Sequence, residues 1–189
     1  MDVLLVSTLS VAVAEIGDKT QLLSLVLVAR YRRPGVIALG ILVATLANHA
    51  GAAWFGMLVA ELFSEAVLRW VLTGSFLAMA LWLLVPDAAE EEEMLPGAGA
   101  RSAFVGSLVL FFLAEMADKT QVATIVLGAR YEDDLAMVVC GTTLGMMMAN
   151  LPVLYGGHAL LKRVPLRIVR TIASALFLVL AVLTFTALA

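Results

Sequence analysis

One cysteine and two histidines in 189 residues leave this chain almost without nitrogen or sulfur ligands. Cys140 has no partner for a disulfide, and a zinc site built from several Cys and His is excluded; within an apolar segment its expected role is packing. Charge is scarce too. Only 14% of the residues are Asp, Glu, Lys or Arg, whereas a soluble domain carries about a quarter. The formal net charge of −3 says little by itself, because in so apolar a chain the distribution of charge among the loops matters more than its sum; no nucleic-acid partner is expected. Enzyme signatures are also missing: there is no His-Glu-x-x-His, no cysteine nucleophile with a paired histidine, and no evident Ser/Lys pattern.

What the chain has instead is apolar length. Hydrophobic residues make up 62% of it and the mean hydropathy is +1.02, more than a soluble domain of this size can bury. A bilayer core about 30 Å thick takes about 20 apolar residues per helical span. Six segments qualify: Val3 to Val28, Gly35 to Val59, Ala66 to Val85, Ser102 to Gly128, Leu135 to Leu161 and Leu166 to Leu188. The expectation is an all-α integral membrane protein of six transmembrane helices. The opening MDVLLVSTLSVAVA resembles a signal peptide, but it has Asp2 where such a segment has Lys or Arg, so it reads as the first half of span one.

Basic residues orient the chain. The loops after spans one, three and five carry Arg30, Arg32, Arg33, Arg101, Lys162, Arg163, Arg167 and Arg170, against Arg69 and Arg130 on the other side. Positive loops stay cytoplasmic, so both termini should lie outside. The acidic run from Asp87 to Arg101 then joins two halves, 1–86 and 102–189, as a solvated cytoplasmic tether.

The halves are copies. AEIGDKTQLLSLVLVARY, Ala14 to Tyr31, and AEMADKTQVATIVLGARY, Ala114 to Tyr131, agree at 11 of 18 positions. Ala47 and Asn48 in span two recur as Ala149 and Asn150 in span five. With three spans per copy, the second copy enters the membrane from the opposite side. This predicts two inverted three-helix repeats, an arrangement in which substrate binds near the midplane between the copies.

Glu15 lies about 18 Å along a helix that starts at Val3, deep in the roughly 30 Å core, and Asp18 lies deeper. Carboxylates there must face a protein interior or a water-filled cavity. On a continuous helix Glu15, Asp18 and Gln21 share one arc with Lys19 beside it, as do Glu115, Asp118 and Gln121 with Lys119. Two such faces meeting at a pseudo-twofold axis would gather four carboxylates, with Thr20, Thr120, Ser24, Thr124, Asn48 and Asn150 as further oxygen donors. Oxygen ligands suit hard divalent cations such as Mn²⁺, Ca²⁺ and Mg²⁺. Two copies of Glu, Asp and Lys sum to −2 when ionised; one divalent cation or two protons balance that, so metal and protons compete for the same oxygens. The bland reading, two salt-bridge patches that glue helices with Glu15 four residues before Lys19, explains one copy more easily than two at mid-membrane depth.

The duplicated Glu-x-Gly-Asp-Lys-Thr signature in two three-span halves resembles the Golgi-type manganese and calcium transporters and their bacterial and chloroplast relatives, once labelled an uncharacterised protein family. The resemblance covers nearly the whole chain. It implies a cation/proton antiporter that moves Mn²⁺ or Ca²⁺ out of the cytosol, with Glu15, Asp18, Glu115 and Asp118 as the cation-binding acids. It implies a bacterial inner membrane location, no tightly bound cofactor and no set oligomeric state. One position departs: the motif glycine is Gly17 in the first copy and Ala117 in the second, so an asymmetric site is expected. A rival function is an exporter of small organic solutes such as amino acids, with the acids holding an ammonium group; four acids exceed what one ammonium needs.

Several residues have milder readings. His49 is either a hydrogen-bonding group between helices or, less in keeping with its presence in one repeat only, a relay or ligand. His158 reads as loop-facing. Met146, Met147 and Met148 point to different helix faces and read as packing. Pro152 is expected to kink or interrupt span five, and Gly141 with Gly145 to allow close helix contact.

Overall fold

The structure, a computed structural model, describes residues 2–85, 99–116, 118–157 and 166–187. The Asp2 side chain caps α1 (Val3–Glu15) by accepting the Leu4 N–H at 3.0 Å. Helix α2 (Lys19–Tyr31) ends at Arg32, whose φ of 52° turns its N–H back onto the Val28 carbonyl. Proline in the first turn starts α3 (Pro34–Glu61), where its missing N–H is not needed. Then come α4 (Glu65–Trp82), α5 (Ala100–Glu115), α6 (Lys119–Arg130), a 3₁₀ turn (Glu132–Asp134), α7 (Leu135–Gly156) and α8 (Leu166–Ala187). The described residues contain no strand.

Four helices, α3, α4, α7 and α8, are long and apolar enough to cross a membrane, and α5 with α6, bent by 70°, makes a fifth span if counted as one. Helix α1 is apolar but only 13 residues long, about 20 Å. The chain is an all-helical integral membrane protein.

Spans one and four are not the continuous helices the sequence suggested. Helix α1 stops at Glu15 and α2 restarts at Lys19; α5 stops at Glu115 and α6 restarts at Lys119. Ile16 and Met116 leave the helix at matching angles (φ −66°, ψ 117° and φ −64°, ψ 126°), and Asp18 and Asp118 sit extended as the N-cap residues of the second segments. Gly17 stands at φ 84°, a conformation that a side chain disfavours. Pro152 does not interrupt α7, which runs on to Gly156, and Cys140 is exposed rather than enclosed in the interior.

Helices of one half pack on helices of the other. Helix α7 lies along α1: a Cβ on Gly141 would fall 2.6 Å from the Leu4 carbonyl and 2.7 Å from the Ser7 Cβ, and one on Gly145 2.5 Å from the Thr8 carbonyl. Helix α3 lies along α5 in the same way: a Cβ on Gly40 would fall 2.8 Å from the Phe104 carbonyl and from the Ser107 Cβ. Leu4 and Ser7 are each one hundred positions before Phe104 and Ser107. Farther along, α3 packs on α6, and α4 runs antiparallel to α8 through the Trp70–Phe185 and Phe76–Phe177 ring pairs.

Tyr31 reaches Gly106 and Tyr155 reaches Gly35. The ends of α2 and α7 and the starts of α3 and α5 therefore share one face, here termed the linker side because α4 also ends there. Large apolar residues such as Leu39, Trp54, Phe55, Leu81 and Val182 face outwards, while Ser7, Ser10, Thr45, Ser107 and Thr142 are buried. Such an inverted distribution suits lipid as the surrounding solvent. The acidic run 87–98, Ala117, His158, Lys162 and Arg163 lie outside the described residues.

Candidate functional site

The two helix breaks meet in the interior. Glu15, the last residue of α1, and Glu115, the last residue of α5, are both fully buried. Glu15 lies within electrostatic reach of Glu115, Asp18 and Asp118, and Glu115 within reach of Asp118 and Lys19. The polar groups thus converge, but through broken backbone rather than through one arc of a continuous helix: a break frees backbone groups and aims the residues on both sides of it inwards.

Each predicted donor has a definite place. Lys19 Nζ stands 3.9 Å from Asp118 Oδ1, an ion pair that joins the first motif to the second. Thr120 donates its hydroxyl to Glu115 Oε2 at 2.7 Å, and Thr124 donates to the Thr120 carbonyl at 2.8 Å. Gln21 holds the first break in shape: its Oε1 accepts the Gly17 N–H at 2.9 Å while its Nε2 donates to the Ala149 carbonyl at 2.9 Å. Ser24 donates to Asn150 Oδ1 at 2.9 Å, and the Asn150 amide donates to the Met146 carbonyl and sulfur. Asn48 donates to the Phe112 carbonyl at 2.9 Å. Thr20 is buried, with no hydrogen-bond partner for its hydroxyl among the described residues, and Gln121 is half-buried. Asn150 is a polar neighbour of Glu15, so both asparagines sit beside the breaks.

The lysines are not equivalent. Lys19 is 23% exposed, whereas Lys119 is 3% exposed, donates to the Val85 carbonyl at 3.1 Å and lies 5.9 Å from the Trp82 ring centre. His49 is enclosed in α3, with neither ring nitrogen hydrogen-bonded among the described residues. Met146 is buried against Asn150 while Met148 points outwards. Among the described residues no three His, Cys, Asp or Glu side chains stand close enough to hold one metal ion together.

One participant escaped the sequence. Arg170 reads there as a loop charge, yet it lies within α8 and lines a cavity of about 10 Å³ with Asp18, Gly17 and Lys119. A signal existed: Arg69 and Arg170 each stand four residues after the start of their helix, α4 and α8. A second cavity, about 300 Å³, opens at the opposite side between α4 and the 3₁₀ turn, lined by Glu65, Arg130, Glu132, Asp133 and Asp134.

Apolar outward faces, helices of membrane-spanning length and acids enclosed at two helix breaks define a polytopic membrane protein built around a charged interior. The chain belongs to the divalent cation/proton antiporter GDT1 family, whose model matches residues 3–91 and 103–188. It is 51% identical to a Vibrio cholerae protein named "Putative manganese exporter", over 97% of this chain and 90% of that protein. It is 27% identical to "GDT1-like protein 3" of rice, over 94% of this chain and 71% of the relative, and 26% identical to a GDT1-like protein of Synechocystis, over 94% and 93%. No solved structure matches it.

Proposed function

We propose that this protein exports divalent cations from the cytosol, Mn²⁺ before Ca²⁺, in exchange for protons. The reading places two inverted three-helix halves, six spans in all if α1 with α2 and α5 with α6 each cross once, in a bacterial inner membrane with both termini outside. The observation that carries it is the pair Glu15 and Glu115, fully buried at equivalent helix breaks and within electrostatic reach of each other and of the motif aspartates. Carboxylates enclosed in a membrane interior are costly unless a cation or a proton balances them. The match of one family model to residues 3–91 and 103–188 supports the two-half arrangement, and the manganese exporter named for the 51% identical relative supports the cargo.

The cycle follows from charge. Cytosolic Mn²⁺ reaches the acids as their protons leave, the Lys19–Asp118 pair parts, and oxygens of Glu15, Asp18, Glu115 and Asp118 take the ion with help from Asn48, Asn150, Gln21 and Gln121. Thr20, Thr120, Ser24 and Thr124 hold those groups in place. Rocking of the halves turns the loaded site outwards, where protons displace the ion. In proteoliposomes with an imposed pH gradient, Mn²⁺ should drive proton movement, Ca²⁺ less so, and Glu15→Gln should abolish it. Proton flux that is indifferent to every divalent cation would overturn the reading.

A further inference from the structure

Equivalent residues in two copies of a motif do equivalent work unless the surroundings differ, and Lys19 and Lys119 differ sharply. Lys19 pairs with Asp118 and remains partly exposed; Lys119 is buried and anchored to α4. A cation at the first position of a helix is unfavourable against the positive end of the helix dipole, so Lys119 needs compensation. It receives it from the Val85 carbonyl, beyond the end of α4, and from the face of Trp82. Between those two contacts lies Leu83, itself 3% exposed and part of the wall of the 10 Å³ cavity that holds Asp18. That cavity has room for about one water. The Trp82–Val85 segment is at the linker side, running from the last residue of α4 to just beyond its end.

We propose that Lys119 is a latch: by holding the Trp82–Val85 segment it keeps Leu83 seated over Asp18 and closes the first motif from the linker side. Lys119 is a positioning residue here, acting on Asp18 through Leu83. Release of the ammonium from Val85 lets the segment swing away and opens Asp18 to the cytosol. The same movement carries a signal between halves, because Lys119 opens the second motif's helix while the residue it uncovers belongs to the first. Its purpose rests on the transport reading above; its geometry does not.

The test is sided cysteine labelling of the full-length protein in membrane vesicles. In a Cys140→Ser background, Ala14→Cys places a thiol in the wall of the Asp18 cavity. A membrane-impermeant maleimide applied from the linker side should react about tenfold faster when Lys119→Met is added, the shift that 1.4 kcal/mol of lost latch produces. Lys119→Arg should stay near the parent rate, because a guanidinium can reach the same carbonyl and ring. Trp82→Leu, which leaves the hydrogen bond and removes the ring, should accelerate labelling about threefold, and it keeps the test open if Lys119→Met folds poorly. An unchanged rate in Lys119→Met and Trp82→Leu, or equal acceleration from both faces of the membrane, overturns the latch. Labelling requires no transport: a wild-type protein that fails to move Mn²⁺ would remove the cargo assignment and leave the latch standing.

Discussion

Gly17 acts at the residue scale through its backbone. Its φ of 84° makes the turn between α1 and α2 possible, and its N–H is held by Gln21. An L side chain in that conformation costs about 1–2 kcal/mol, so Gly17→Ala should lower the melting temperature of the purified protein and slow Mn²⁺ exchange together. Glu15→Gln should behave differently. It removes the ionisable group without changing shape, so exchange should fall to background while the melting temperature holds or rises; a clear loss of stability would mean that the carboxyl group is structural. Thr120→Val deletes the hydroxyl that bonds Glu115. Loss of a buried hydrogen bond is worth about 0.5–1.5 kcal/mol, and the effect should show as weaker half-saturation by Mn²⁺ with the protein still inserted.

At the scale of elements, close contact across the halves organises the molecule. Gly145 presses on the Thr8 carbonyl and Gly40 on that of Phe104. Enlarging such positions forces backbone apart, at about 1–3 kcal/mol; Gly145→Val should therefore reduce the yield of folded protein, as followed by gel filtration in detergent, while Gly51→Val, with nothing within 4 Å, should not. The spans themselves were readable from hydropathy, since α3, α4 and α8 begin and end within a few residues of the expected limits. Breaks in the first and fourth segments were not. Apolar length marks a span whether or not its backbone is continuous, and a helical wheel drawn through Glu15, Asp18 and Gln21 assumes the very continuity that the Gly17 turn removes. The motif acids were nonetheless brought within electrostatic reach of one another, and what marked them was their charge in an apolar run.

For the whole molecule, each apolar core mixes the two halves. One joins Ala53, Phe76 and Met79 to Leu127, Val138 and Phe177; the other joins Leu27, Ile37 and Ile41 to Ala103, Phe111 and Leu154. Neither half can complete a core alone, so residues 1–101 and 102–189 expressed separately should be degraded, and co-expression should restore a complex that co-purifies. A cargo that binds the assembled site stabilises it by mass action, by about 2.7 kcal/mol at a hundred times its Kd. Mn²⁺ should thus raise the melting temperature of the wild type and leave Glu15→Gln unmoved, and arginine or lysine should not substitute for it.

The sequence by itself determined that the chain lives in a membrane, that its charged motif is duplicated and that the costly groups are the motif acids, because composition, repetition and charge are local properties that a string of letters displays. Tertiary structure alone decided that the acids sit at helix breaks, that equivalent lysines have different partners and that Arg170 lines the cavity beside Asp18. Those facts depend on which backbone carbonyls and side chains from distant segments arrive at the same place, and two nearly identical motifs diverge as soon as their neighbours do.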